Sequence, residues 1–277
     1  MRKDNAIGVF DSGFGGLSLV KEICNQLPEE EIIYFADAAR CPYGIRPLTE
    51  VRRFAFEIIE FLERRDAKAV VVACNTATAA GLEAARRRFS TPIIGVIGPG
   101  SEAAVKESKN DRIGVIATEG TVKSRAYERA IRSLRPSAEV FGKGCQIFVD
   151  LVEAGKTEGG EVEEIVVKCL EPLLKEDIDT LVLGCTHFHF LEDAIKRVVG
   201  GGVTIVNPAY KTVKHLKEIL ESNGLDRAKA GPTTYRYFTT GEIEVFREIG
   251  ENLLGKPITN LEHVEVQELT HTRNLIF

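Results

Sequence analysis

The chain has no tryptophan, a single methionine and five histidines among its 277 residues. Its six cysteines include no CxxC pair, so spacing offers no dithiol redox motif, and a disulfide framework is not expected at this length. No apolar stretch approaches the roughly 18 residues of a membrane span. The few apolar residues between Asn5 and Asp11 are too short for a signal-peptide core. Positive charge is in deficit, with 36 Lys and Arg against 41 Asp and Glu and a net charge of -5. That balance weighs against a generic nucleic-acid or anionic-membrane binder. The basic stretch Arg86-Arg87-Arg88 falls at an expected helix end, where it complements the macrodipole. These absences together imply a cytoplasmic setting with reduced, usable thiols.

What is present is ordinary for a globular protein: 44% hydrophobic and 28% charged residues, enough for one large or two modest domains. Short apolar runs at Ile7 to Phe10, Glu31 to Phe35, Lys68 to Ala73 and Ile93 to Ile97 alternate with helical stripes such as Val51, Phe54, Ile58, Phe61 and Leu62. Buried parallel strands and crossover helices give this alternation. The pattern restarts at Arg112-Ile-Gly-Val-Ile-Ala, which echoes Ala6-Ile-Gly-Val-Phe-Asp. The second half is expected to hold a helix opened by Glu119-Gly120-Thr121 and holding Tyr127, Ile131 and Leu134, helices over 146–154 and 160–175, and a strand ending at Cys185. A helix over 190–199 and a strand over 203–206 follow. The tail is expected to hold helices near 212–222 and 242–253, a strand over 234–239 and a final strand near 263–269. Gly98-Pro99-Gly100 and Asn207-Pro208 are the candidate crossings between two units. The expected fold is α/β: two doubly wound parallel-sheet domains related by a pseudo-two-fold axis. Residues 1–97 with 208–277 form the first, 98–207 the second, and the active site lies in the cleft between them.

A second echo is chemical. Ala69-Val-Val-Val-Ala-Cys74-Asn-Thr and Thr180-Leu-Val-Leu-Gly-Cys185-Thr-His each run from a strand through a small residue to a cysteine at a helix start. Open α/β sheets bind ligands at such carboxyl ends. A helix N-terminus lowers a thiol pKa, whereas a carboxylate such as Asp11 nearby raises it. Two matched thiols suit a reaction needing a base on one face of a substrate and an acid on the other. By contrast, Cys24 and Cys169 lie in helical apolar stripes and read as core. Cys41 and Cys145 fall in loops with no chemical partner in view.

Asp11-Ser12-Gly13-Phe14-Gly15-Gly16 follows a strand but matches neither GxGxxG nor a P-loop. Its glycines fit close approach of backbone N–H groups to a small anion, and Asp11 is either a helix cap or a proton-handling group. Asn75 or Thr76 is placed to cap the helix after Cys74. Cys185-Thr186-His187-Phe188-His189 lacks a third and fourth zinc ligand at usual spacing, so no metal is expected. His187 is a candidate proton partner, and His189 is either exposed or a helix cap.

Taken together, these residues closely resemble the glutamate racemase family of the aspartate/glutamate racemase superfamily. The resemblance runs through Asp11 to Leu17, Asp37 with Pro42-Tyr43-Gly44, Ala73 to Thr78, Thr118 and Thr121, Glu153, and Leu183 to His187. It implies cofactor-free interconversion of L- and D-glutamate, supplying D-glutamate for peptidoglycan, in a homodimer with no nucleic-acid or membrane partner. Cys74 and Cys185 would transfer protons, with Asp11, His187 and Glu153 assisting. Ser12, Tyr43, Gly44, Asn75, Thr76, Thr118, Thr121 and Thr186 would hold the substrate, together with Asp11 and His187. Phe188, His189, Gln146, Asp150, Asn207-Pro208 and Ala36 depart from the family pattern. They leave open racemisation of aspartate or another amino acid. A single-cysteine thiol hydrolase or acyltransferase and a non-catalytic binding module are the rival classes.

Overall fold

Ile7–Asp11 (β1), Ile32–Ala36 (β2), Ala69–Val72 (β3) and Ile93–Gly95 (β4) are buried along their whole lengths. Strands covered on both faces need parallel pairing and crossover helices. The computed structural model, which describes residues 2–227 and 233–270, shows that arrangement. Arg112–Ala117 (β5), Glu139–Gly144 (β6), Thr180–Gly184 (β7) and Thr204–Val206 (β8) follow, then Tyr235–Thr239 (β9) and Leu261–His263 (β10). They form two sheets, β10-β9-β2-β1-β3-β4 and β6-β5-β7-β8, in which every pairing is parallel.

The order β2-β1-β3-β4 of the first sheet recurs as β6-β5-β7-β8 in the second. The sequence echoes therefore have a physical cause. β1 and β5 occupy equivalent central places, as do β3 and β7, and both of each pair must be apolar on two faces. Chain order reverses direction between β1 and β3, and again between β5 and β7. At such switch points the flanking helices leave to opposite sides and open a crevice. Asp11, Cys74, Thr118 and Cys185 stand at these four strand ends. Each sheet packs apolar clusters on both faces; Phe10 and Val72 face one way in the first sheet, Val9 and Val71 the other.

Several local expectations change. Gly98-Pro99-Gly100 forms the first turn of the helix Ile97–Glu107; proline is tolerated there because the first N–H groups of a helix have no intrahelical partner. A Cβ on Gly100 would lie 3.0 Å from Pro208 Cγ, so the two candidate crossings touch. Asn207 caps the helix Pro208–Ser222, its side chain accepting from Ala209 N–H at 2.9 Å, which starts that helix four residues earlier than expected. The helix expected around Tyr127 is broken at Arg125, which adopts a left-handed φ of 54°, and Leu134 is exposed. β6 was not expected: it is an edge strand, nowhere fully buried, so its sequence carries no apolar run. The final strand is the short Leu261–His263, and Val266–Thr270 is a helix.

The cysteines bring the largest correction. Cys145 and Cys169 form a disulfide with Cα atoms 6.4 Å apart. It ties the start of the helix Gln146–Glu153 to the helix Gly160–Leu174. Sequence spacing hides the pair because the partners meet only once these helices pack. The inference of a reducing compartment rested on unpaired thiols, and this bond removes that support. Among the described residues no helix is long and apolar enough to cross a membrane.

Candidate active site

Cys74 ends the β3 connection and occupies the N-cap of the helix Asn75–Arg88 in extended conformation. Neither Asn75 nor Thr76 caps that helix, since both side chains are used across the cleft. Asn75 Oδ1 accepts from the Tyr127 hydroxyl at 2.7 Å. Thr76 Oγ1 lies 2.9 Å from Thr118 Oγ1 and 3.1 Å from Thr121 Oγ1, which are themselves 3.1 Å apart. This hydroxyl triangle joins the helix after β3 to the turn after β5.

Cys185 follows β7 and opens the 3-10 turn Thr186–Leu191. Its sulfur lies 3.7 Å from His187 Nδ1, and His187 Nε2 lies 2.5 Å from Glu153 Oε1. Burial works to lower the His187 pKa, but Cys185 and Glu153 outweigh it and hold the imidazolium well above its ordinary range. With the ring protonated, one N–H faces the sulfur and the other donates to the carboxylate.

Asp11 is fully buried and caps no helix; Gly16 holds that position. It accepts from Gly13 N–H at 3.1 Å and from Thr186 Oγ1 at 3.0 Å. Burial raises its pKa, with His187 and these donors pulling the other way. Burial and then the Asp11 charge push the Cys74 thiol up, against the N–H groups of Ala77 and Thr76. The helix-terminus effect anticipated for Cys74 is thus present but outweighed.

The glycines after β1 make room for side chains of the site. A Cβ on Gly15 would fall 2.4 Å from Thr186 Oγ1, one on Gly13 3.0 Å from Glu153 Oε1, and one on Gly16 2.6 Å from Asp11 Cβ. Gly44 has the same reason: its Cβ would meet Thr118 Cβ at 2.4 Å. The Tyr43 hydroxyl is committed to Asp37, which also receives Arg40 Nε at 2.7 Å and Thr240 Oγ1 at 3.1 Å. Arg40 continues to Glu57 at 2.5 Å. Buried charges held in such a network fix the segment they anchor.

Cys74 and Cys185 both line one small cavity, with Ser12, Tyr43, Gly44, Asn75, Thr76, Thr118, Thr186 and His187. Pro42 and Val149 complete the wall. Asp11, Glu153 and Thr121, also expected at the site, stand one hydrogen bond behind Thr186, His187 and Thr76. The free space is only ≈ 10 Å³, about one water's worth, so a substrate enters only if the walls separate. A roomier hollow of ≈ 170 Å³ beside Tyr127 and Val140 has no thiol in its wall. Among the described residues no three His, Cys, Asp or Glu side chains converge as a metal site.

Other contributors escaped the sequence reading. Tyr34 donates to Gly13 O at 2.7 Å, and Tyr127, Arg40, Glu57 and Thr240 act through the bonds above. Cys41, read as a bare loop thiol, lies beside the glycine turn, 3.4 Å from where a Gly13 Cβ would be. His189 is neither exposed nor a cap: Nδ1 lies 2.9 Å from Ser18 Oγ. Only the residues around Asp37 carried a signal, because they precede the Pro-Tyr-Gly segment.

The fold and sequence have clear counterparts among known proteins. The model of the Asp/Glu/Hydantoin racemase family matches residues 7–216. The glutamate racemase of Latilactobacillus sakei is 44% identical over 96% of this chain and 97% of its own length. The crystal structure of a glutamate racemase isoform from Bacillus anthracis superposes with a TM-score of 0.92 at 44% identity, covering 96% of this chain and 99% of that one. The Francisella tularensis glutamate racemase, solved in complex with D-glutamate, gives 0.89 at 34% identity over 96% and 99%. The chain belongs to the Asp/Glu/hydantoin racemase family, on its glutamate racemase branch. An aspartate racemase from Picrophilus torridus, 17% identical with a TM-score of 0.57 over 79% of this chain and 94% of that one, shares the fold alone.

Proposed function

We propose that the chain is an isomerase that interconverts L- and D-glutamate by two-base proton transfer between Cys74 and Cys185. One cysteine, as thiolate, removes the Cα proton; the other, as thiol, delivers a proton to the opposite face, and the roles exchange for the other enantiomer. Both thiols in the wall of one cavity is the observation that carries this reading. Each has its own partner: Asp11 stands near Cys74, and His187 with Glu153 beside Cys185. A weak carbon acid needs its developing charge met by fixed donors in a water-poor site. The side-chain amide of Asn75 and the hydroxyl of Ser12, both in the cavity wall, fill that role for the α-carboxylate. Backbone groups at Tyr43 and Gly44 and the hydroxyls of Thr76 and Thr118 receive the distal carboxylate, with Thr121 behind them. Enzymes lower barriers by roughly 8–23 kcal/mol, and closing so small a cavity supplies part of it.

The same reading takes residues 1–97 with 208–277 as one domain and 98–207 as the other. They open and close about the touching segments at Gly100 and Pro208 to admit substrate. A homodimer in the cytoplasm, supplying D-glutamate for peptidoglycan, is the setting this chemistry fits. Circular dichroism with a panel of L- and D-amino acids tests the substrate. Racemisation of both glutamate enantiomers is expected; a preference for aspartate, or no racemisation, would overturn the assignment.

One observation favours a second reading. The order Cys185, His187, Glu153 matches a nucleophile, an imidazolium that pairs with its thiolate and an orienting acid, as a thiol hydrolase would use. It leaves Cys74 without a role. Mass spectrometry of the protein with thioester and amide substrates distinguishes the two: an acyl adduct on Cys185 supports the hydrolase.

A further inference from the structure

Ser18 lies in the helix Leu17–Gln26 that follows the glycine turn. Its hydroxyl donates to the Gly15 carbonyl at 2.8 Å. That proton is therefore spent, and the 2.9 Å contact with His189 Nδ1 requires the imidazole to donate. The Nδ1–H tautomer meets this contact; Nε2 is buried with no bond of good geometry, and the Leu183 carbonyl is the other acceptor near the ring. Burial pushes its pKa down to about 4, so the ring stays neutral at ordinary pH.

The bond closes a ring of contacts around the chemistry. Gly15 abuts Thr186 and His187 so closely that a Cβ there would sit 2.8 Å from His187 Nδ1. From His187 the chain runs two residues to His189, then through Ser18 back to Gly15. The bond from Thr186 to Asp11, 3.0 Å, pins the same turn on the other side of His187. His187 is thus held between two side-chain bonds that reach from the turn after β7 to the end of β1 and the helix that follows it.

Resting on the racemase reading, we infer that His189 is a positioning residue. Through Ser18 it clamps the Cys185–His187 turn against the glycine turn and sets where the second thiol stands in the cavity. It touches no reacting atom. An apolar residue at 189 leaves Ser18 half-satisfied and lets the turn shift relative to Cys74. A neutral hydrogen bond contributes about 0.5–1.5 kcal/mol net, which corresponds to a loss of about two- to tenfold in rate.

The test combines kinetics with ¹⁵N NMR of the histidine rings in the full-length protein. His189→Leu and Ser18→Ala should each lower kcat for glutamate by about two- to tenfold, with KM changed by less than about twofold. The double variant should be no slower than the slower single one, because both remove the same bond. His189→Asn, whose amide N–H can replace Nδ1–H, should restore most of the rate. In the NMR spectrum the neutral ring should carry its proton on Nδ1, and Ser18→Ala should erase that tautomer preference. Wild-type kcat in His189→Leu, additive losses in the double variant, or failure of His189→Asn to restore the rate would overturn the proposal. If His189→Leu does not fold, Ser18→Ala and the NMR measurement decide. If the wild type turns over no glutamate, the racemase reading fails. The NMR result alone then judges the clamp, with a ring protonated on Nε2 rejecting it.

Discussion

At the scale of single residues, the two sulfurs differ in what surrounds them. Cys74 sits among burial, the Asp11 charge and opposing helix N–H groups, whereas Cys185 faces an imidazolium backed by Glu153. The proposed two-base mechanism requires both to complete inversion at one carbon. Cys74→Ser and Cys185→Ser should each lower kcat by about 10²–10⁴-fold, read by polarimetry from both enantiomers, the range that a proton-transfer group contributes. A variant retaining near-wild-type turnover contradicts the assignment. His187 carries a pH consequence as well. Its folded pKa is raised above the ordinary 6.5, so its stabilisation is full below that value and is lost as pH rises through the folded one. Asp11, also raised from its ordinary 3.8, has the same sign over a lower starting range. Chemical denaturation across pH should show stability falling on the alkaline side, and His187→Gln should flatten that fall.

At the scale of elements, legibility followed locality. β1, β3, β5 and β7 were readable because a strand buried on both faces needs an unbroken apolar run, and the cysteine frames simply sit at their ends. β6 was not, because an edge strand is half-solvated and reads as neither period. The disulfide, the hydroxyl triangle and the Ser18–His189 bond were invisible for another reason: their partners lie far apart in sequence and meet only after helices pack. Glycine's role was half-legible. Its presence after Asp11 and at Gly44 was plain, but its neighbours are protein side chains rather than a bare anion site. Gly44→Ala should therefore drive a methyl into Thr118, at a cost of about 1–3 kcal/mol. KM for glutamate should rise about tenfold or more with the fold retained by circular dichroism. The disulfide closes a sequence separation of 24 residues, for which chain entropy gives about 3.5 kcal/mol. Reduction, or Cys145→Ser with Cys169→Ser, should lower the melting temperature by several degrees, measured by calorimetry with and without dithiothreitol.

At the scale of the whole molecule, the two sheets repeat one strand order and bring their switch points together around a single cavity. Duplicate architecture yields two chemically similar groups in the wall of one cavity, which the proposed mechanism uses on the two faces of a stereocentre. The near-absence of free space between them means that opening must precede binding and closing must precede chemistry. The central claim is that different thiols serve the two faces of the same carbon. The most direct measurement is deuterium incorporation in D₂O at low conversion, followed by mass spectrometry of each separated glutamate enantiomer. With two bases, the product enantiomer gains one deuterium while the recovered starting enantiomer stays unlabelled, in both directions. Label appearing in recovered starting material as fast as in product would mean that one group both removes and returns the proton, and would contradict the account.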